Sequence, residues 1–447
     1  MFRKSLLDFS WLPWAVGGSL CNRRPATRAT CDCEESERQR VLVVGAGLTG
    51  CLVSNLLRRQ GPPGLEIEVW ERATYPSGRF GATFSFEKKP LRNGGRSDGT
   101  GNWVDLGAQV LSAVEVGSGH PNAGATGHNV SASDVAACWR EVQGMVDEGL
   151  LERVPEEMLA ETEERMKYEG LWAHFWCRWG LGYLLRRYIS QASAHLRLGV
   201  RAEAIAFERG GQVTVRGSAR GCGGASSMQA QADVVILAVP APDAVKVVQL
   251  PRHVANTISG IEYDSRTAVA IFFDPVLQEP VARAFQGLAE VSLDIHSKEE
   301  VHLVSWQNAK DKSFAHGDIV RLVVHSAEGV SLNGPGPALE ALSVMLGLSA
   351  ALLEHLLLDW KVVDWKVCQM VRPFESLQTD LELELSEPAL RVSGSPIILA
   401  GDYWCQSSFL GCFCSASAAV RQALASLRRC PPETSSRRNT CSTDGHL

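Results

Sequence analysis

From Val41 to Gly50 the chain reads VLVVGAGLTG, an apolar run that breaks into three glycines. The run predicts a strand buried on both faces. The following LTGCLVSNLLRRQ sets Leu48, Leu52 and Leu56, with Val53 and Leu57, at steps of four, the spacing of an amphipathic helix. GPPG stops that helix, and LEIEVWER predicts a second strand, so the segment is a βαβ unit opening a parallel sheet. Within G-x-G-x-x-G each glycine has its own reason. Gly45 permits the tight turn, Gly47 lets the backbone approach a pyrophosphate, and Gly50 lets helix and strand pack closely. A diphosphate then rests on free N–H groups at the positive end of the helix that Leu48 and Thr49 begin. Glu71 ends the second strand, placed to accept hydrogen bonds from ribose hydroxyls, and Arg72 beside it is a further candidate contact.

At 447 residues the chain has room for about two or three domains. Its 45% hydrophobic and 21% charged residues place it with soluble globular proteins. A net charge of -6 excludes the bulk basic field expected of a nucleic-acid or acidic-membrane binder. Apolar runs are short and broken, which predicts no membrane span. The 13 cysteines are scattered, and neither Cys31-Asp32-Cys33 nor Cys412-Phe413-Cys414 has metal-ligand spacing, so free thiols and no metal site are expected.

Residues 1–39 are an extension, basic at its start and Ser/Thr- and Arg-rich after it, open between a secretory signal, a transit segment and plain disorder. Its destination, cytoplasmic or secreted, stays open, as does glycosylation at Asn129, which matters only in a secreted chain. Dinucleotide-binding parts are expected at 40–112, 196–240 and 391–429. Substrate-domain segments are expected at 113–195 (helix and loop) and 241–390, and a disordered tail at 430–447. Three polar or Gly-rich stretches, 87–102, 117–134 and 209–227, are expected as excursions without regular structure. The helical pattern ALEALSVMLGLSAALLEHLLL falls in the substrate domain.

Two further motifs choose the dinucleotide. Ser77-Gly78-Arg79 is similar to the G-G-R turn of amine-oxidase and desaturase flavoproteins, with Ser77 for the first glycine; that resemblance puts Arg79 near an FAD pyrophosphate. PIILAGDYWCQSSFLGC is similar to their closing strand, loop and helix, in which Asp402 bonds a ribitol hydroxyl and the helix begun by Phe409 and Gly411 points at the flavin N1–C2=O edge. The expected fold is α/β: a Rossmann-type FAD-binding domain on a parallel sheet with an inserted α+β substrate domain.

With VDLGAQV at 104–110 and EYDSRTAVAIFF at 262–273, which keeps Tyr263, Ser265 and Arg266 in step, the chain resembles the renalase family over roughly 40–428. The resemblance implies non-covalent FAD and oxidation of the 1,2- and 1,6-dihydro isomers of NAD(P) to β-NAD(P)+, with O2 reduced to H2O2. It places Gln109 and Val110 beside the flavin and Ala202 at the adenine. Hydride transfer needs orientation rather than a base, so no catalytic side chain is assigned. Val110, Trp306 and Tyr403 are substrate-pocket candidates. The family has an aromatic residue where this chain has Val110, Asn where it has Ser408 and Asp where it has Leu410. Those departures leave open an amine-oxidase or desaturase-like enzyme with another substrate, and a non-catalytic secreted flavoprotein acting as a ligand.

Overall fold

The computed structural model describes residues 38–76, 78–86, 103–116, 130–160, 172–208, 211–221, 224–293, 300–310, 319–372, 374 and 387–429. The extension before residue 38, the tail after 429, the stretch 87–102 and Asn129 lie outside them.

The apolar run forms β1 (Arg40–Val44), in which Val41, Leu42 and Val43 are fully buried, as a central parallel strand requires. β1 pairs in parallel with β2 (Glu66–Glu71) on one side and with Val234–Leu237 on the other, Val41 lying opposite both Ile67 and Val234. The six-stranded sheet runs Leu390–Arg391, Ile397–Leu399, Val234–Leu237, β1, β2, His195–Leu198, and only the outermost pair at the first edge is antiparallel. Strand order reverses at β1, so the crevice beyond Val44 is the topological switch point where such sheets bind ligands. Helix α1 (Leu48–Gln60) covers one face with Leu52, Val53, Leu56 and Leu57 buried.

The closing helix, Phe409–Arg429, packs against α1 and the same sheet, with Ala416, Ala419, Val420 and Ala423 at 0% exposure. At 21 residues it is long and apolar enough to span a bilayer, which the broken apolar runs did not predict. Its small apolar residues are spent on close packing inside the protein.

A second sheet is antiparallel, in the order Glu290–Ser292, Val301–Trp306, Val320–Ser326, Arg266–Phe273, Leu357–Trp365. The strand Arg266–Phe273 sorts its side chains by the two-residue period. Val269, Ile271 and Phe273 enter a core with the helices Gln278–Phe285, Gly336–Leu346 and Ala350–Leu356. Ala268, Ala270 and Phe272 enter another with Ala82, Val104 and Leu106. Ala82, Val104 and Leu106 therefore pack directly against the second sheet.

Three expectations need correction. The stretch 209–227 holds most of a hairpin, Val213–Gly221 against Gly224–Ala232, which pairs on to Val200–Phe207. Its small polar residues hide a period-two pattern in which Val213 and Val215 are fully buried. The stretch 117–134 ends inside a helix, Ala132–Asp147, whose cap is Ser131: the hydroxyl accepts the Asp134 N–H at 3.1 Å. The long helical pattern breaks at Gly347, which takes φ +65°, and its last leucines open the strand Leu357–Trp365.

At Gly50 a Cβ would sit 1.9 Å from the Gly45 carbonyl oxygen, whereas at Gly47 it would meet nothing within 4 Å. Gly50→Ala should therefore lower the unfolding free energy by about 1–3 kcal/mol through backbone displacement. Gly47→Ala should leave it unchanged within about 0.5 kcal/mol. Urea titration of both variants checks the contrast.

Candidate functional site

The glycine turn is held from three sides. Gly45 takes φ +102° and donates its N–H to the Trp70 carbonyl at 2.8 Å. The Ala238 N–H bonds the Val44 carbonyl at 2.8 Å. Glu71, 9% exposed, accepts the Ala46 N–H at 2.7 Å and the Ala73 N–H at 2.8 Å, one on each carboxylate oxygen. Its nearest partners are thus the loop itself, and each oxygen keeps a further lone pair for a hydroxyl donor. Arg72 turns outward to Asp243 at 3.1 Å.

Helix α1 has no side-chain cap hydrogen bond and no acid in its first turn, so its leading N–H groups stay available to an anion. Leu48 and Thr49 are buried and offer backbone there. Gly47 faces Gly78, whose own Cβ would fall 3.1 Å from the Gly47 Cα. Two glycines thus leave open the space above the helix end, a cradle that side chains would fill.

Arg79 begins where that cradle ends. Its Nη2 lies 2.8 Å from Asp402 Oδ1, its Nη1 donates to the Cys368 carbonyl at 2.6 Å, and its guanidinium stands 5.4 Å from the Tyr263 ring centre. Burial works against its charge, but Asp402 and Tyr263 outweigh that and hold the guanidinium above its ordinary pKa. Asp402, 5% exposed, also accepts the Ser407 hydroxyl at 2.8 Å. Residues 323 apart in sequence, expected at the pyrophosphate and the ribitol of one cofactor, are in direct contact. Ser408 caps the closing helix: its hydroxyl accepts the Gly411 N–H at 3.0 Å. A Cβ at Gly411 would clash with the Gln406 carbonyl at 2.1 Å. Phe409 is buried at the helix start, 6.2 Å from Phe80. One buried polar atom of this loop, Gln406 Nε2, has no hydrogen-bond partner among the described residues.

Gln109 lies in a buried polar cluster that the sequence did not reveal. Its Nε2 donates to the Asp105 and Gly107 carbonyls at 2.7 and 2.9 Å, and its Oε1 accepts Gln307 Nε2 at 2.7 Å. Lys310 Nζ donates at 2.9 Å to both the Oε1 and the main-chain oxygen of Gln109, and lies 3.8 Å from Asp105 Oδ2. Asp105 Oδ1 accepts the Leu181 N–H at 3.0 Å, so it caps the helix Leu181–Ala192 from another segment. Burial pushes the Asp105 carboxyl up to about 6, against the pull of Lys310. Burial lowers the Lys310 ammonium, against Asp105 and Glu290. Burial, then Arg266 and Lys310, brings His325 down to about 4; its Nε2 is 3.4 Å from Gln109 Nε2. The cluster reaches the cradle through backbone, because Ala108 N–H bonds the Arg79 carbonyl at 3.1 Å and Gly107 sits too close to that carbonyl for any Cβ.

The pocket candidates are not brought together. Trp306 packs 5.6 Å from Phe285 in the helical core of the second sheet. Tyr403 is fully buried against Trp404, and Val110 packs with Val154, Leu159 and Trp176. Ala202 is buried in the strand Val200–Phe207, opposite Gly217. Tyr263, matched by the sequence but given no role, lies under Arg79. Lys310 and Gln307 carried no signal, since a lysine and an amide after a strand read as a solvated loop.

Residues 43–120 match the family model described as an NAD(P)-binding Rossmann-like domain. Among solved structures, wild-type putrescine oxidase bound to putrescine superposes with a TM-score of 0.53 at 14% identity, over 88% of this chain and 99% of that one. A variant from the same redesign of cofactor binding gives 0.52 at 13%, over 88% and 100%. The fold is therefore mixed α/β on a parallel Rossmann-like sheet, similar to that of an amine oxidase.

Asp105 and His325 give opposite pH dependences. Asp105 titrates at about 6 when folded and 3.8 as its reference, so the folded chain takes the proton first and gains stability as pH falls between those values. His325 titrates at about 4 when folded and 6.5 as its reference, so the unfolded chain takes the proton first and stability is lost as pH falls from 6.5 to 4. Asp105→Asn removes the gain and keeps the loss. Its urea midpoint should fall more steeply than the parent's across that window, and parallel profiles would refute the assignment.

Proposed function

We propose that this chain is an FAD-dependent oxidoreductase of the renalase type. It would take the 1,2- and 1,6-dihydro isomers of NAD(P) and O2 with a proton, and return β-NAD(P)+ and H2O2. The observation that carries the FAD reading is the contact between Arg79 and Asp402 beside the uncapped start of α1. A diphosphate at Gly47 meets free N–H groups and has the Arg79 guanidinium close by. Asp402 has lone pairs left for a sugar-alcohol hydroxyl, and the orphaned Gln406 amide is a donor in want of an acceptor. Bound non-covalently there, FAD supplies a two-electron acceptor that O2 can reoxidise.

The chain's own work is to bind and orient. The Gly107–Val110 segment, locked by Lys310 and Gln307, offers a fixed wall for a planar nicotinamide. Fixed placement is what hydride transfer requires. The titratable groups of that cluster are all engaged: Asp105 caps a helix, Lys310 holds Gln109, and His325 is kept neutral at pH 7. Asp105 and Lys310 are held by those contacts, and His325, brought down to about 4, is too weak a base at pH 7 to deprotonate a donor, which suits one that gives up hydride without prior deprotonation.

The likeness to putrescine oxidase favours a second reading, oxidation of an amine. Purified protein should be yellow, and Gly47→Val should emerge folded and colourless. Anaerobic mixing with 1,2- or 1,6-dihydro-NAD(P) should bleach the flavin in stopped flow while a panel of amines leaves it yellow. Bleaching by amines alone would transfer the assignment to the second reading, and protein that takes up no FAD would overturn both.

A further inference from the structure

The second sheet ends in an edge with an internal symmetry. Its outermost strand, Leu357–Trp365, pairs on one side with Arg266–Phe273 and has no strand on its other side among the described residues. The direction of its amides follows from its neighbour. The Thr267 N–H turns to Ser326 Oγ at 2.8 Å, so the odd-numbered residues of Arg266–Phe273 face Val320–Ser326 and the even-numbered ones face the edge strand. Those even residues lie opposite Trp365, Val363, Lys361 and Asp359, which leaves the main-chain groups of Trp360, Val362 and Asp364 pointing outward. The Trp360 N–H accordingly finds no strand, and the adjoining Asp359 carboxylate covers it at 2.8 Å.

The side chains around Trp360 read Leu357-Leu358-Asp359-Trp360-Lys361-Val362-Val363: two apolar residues and an acid before the tryptophan, a base and two apolar residues after it. We propose that a second copy of this chain docks here, edge strand to edge strand and antiparallel, about a two-fold axis at Trp360, making one continuous ten-stranded sheet.

In that register the Asp359 carboxylate releases the Trp360 N–H, and Trp360 exchanges both main-chain hydrogen bonds with the partner's Trp360. Asp359 falls opposite the partner's Lys361, next to the bulge at Leu358. Asp359 and Lys361 are then a non-hydrogen-bonded pair, the closer kind, with Cα atoms about 4.5 Å apart. Directly opposed residues of an antiparallel pair share a face, so a two-fold axis must pass through a residue. Centring on Lys361 opposes two lysines, and centring on Val362 sets Asp359 against Trp365. Only the Trp360 register opposes an acid to a base within the strand. Neither Asp359 nor Lys361 has an ion-pair partner among the described residues, unlike Asp364, which Lys366 and Thr267 already engage.

Burial points the same way. Trp360 is 43% exposed and Leu358 44%, and the other apolar residues of the strand, Leu357, Val362, Val363 and Trp365, are only partly buried. The helices packed on that same face expose Val344 at 81% and Leu352 at 41%. A free nine-residue edge next to exposed apolar side chains is a template for strand addition. A bulge between Phe272 and Phe273 sets the length of the flat part, which begins at Asp359 and contains the charged pair.

The test is sedimentation velocity of the full chain over a range of concentrations, with far-UV circular dichroism to verify folding. The parent should form a dimer of twice 48.5 kDa. Lys361→Asp sets two acids against each other at both symmetry-related contacts and should weaken dimerisation at least about tenfold. Combining it with Asp359→Lys, which restores opposite charges with the order reversed, should recover the parent's constant. A parent that stays monomeric, a dimer indifferent to Lys361→Asp, or a double variant no better than the single would each overturn the proposal.

Discussion

A guanidinium and a carboxylate, Arg79 and Asp402, meet at 2.8 Å at the point where the first turn of the dinucleotide fold meets its last helix. Asp402 is only 5% exposed while the Arg79 side chain keeps 26%, so removing the arginine would strand a buried carboxylate at a cost of about several kcal/mol. The pair therefore ties the loop after β2 to the end of the strand Ile397–Leu399. Its remaining bonds, to the Cys368 carbonyl and the Ser407 hydroxyl, extend that tie to the strap entering from the second sheet and to the cap of the closing helix. Gly107 and Ala108, pressed on the Arg79 carbonyl, pass it on to the Lys310 cluster. The candidate site is one connected arrangement of hydrogen bonds and close backbone contacts.

Two polar strategies coexist around it. The cradle at Gly47 is left empty of side chains, with helix N–H groups uncommitted, which is costly unless an anion comes. The Gln109 cluster is the reverse: amide, ammonium and carboxylate meet one another with short bonds and leave little to offer a ligand by side chain. A loose loop could not hold a planar ring at a fixed height. A satisfied buried network can, because every rotation breaks several bonds at once.

What could be read from the sequence was what is local. β1, α1 and β2 follow from a buried run, a period near four and a Gly-Pro stop, all within 32 residues. Arg79 and Asp402 were legible as separate motifs, but their contact was not, since nothing in either segment names the other. The hairpin at 213–232 escaped because Gly, Ser and Ala signal turns on their own and become strand only through pairing with Val200–Phe207. Leu357 and Leu358 read as the end of a helix because leucine suits it, and Gly347 with the pairing to Arg266–Phe273 decides otherwise. Lys310 was invisible for a simpler reason: its partner lies 201 residues away.

The first sheet draws its strands from four distant parts of the chain, and β1 stands beside Val234–Leu237, which waits for Ile397–Leu399. During synthesis, then, the middle strand acquires its outer neighbour only when nearly the whole polypeptide has emerged. Until that moment Val235, Ile236 and Leu237 border an open parallel edge, the kind of surface that folding chaperones shield. A ribosome stalled before residue 397 would hold a nascent chain with its glycine turn made and no closing helix to complete the grip.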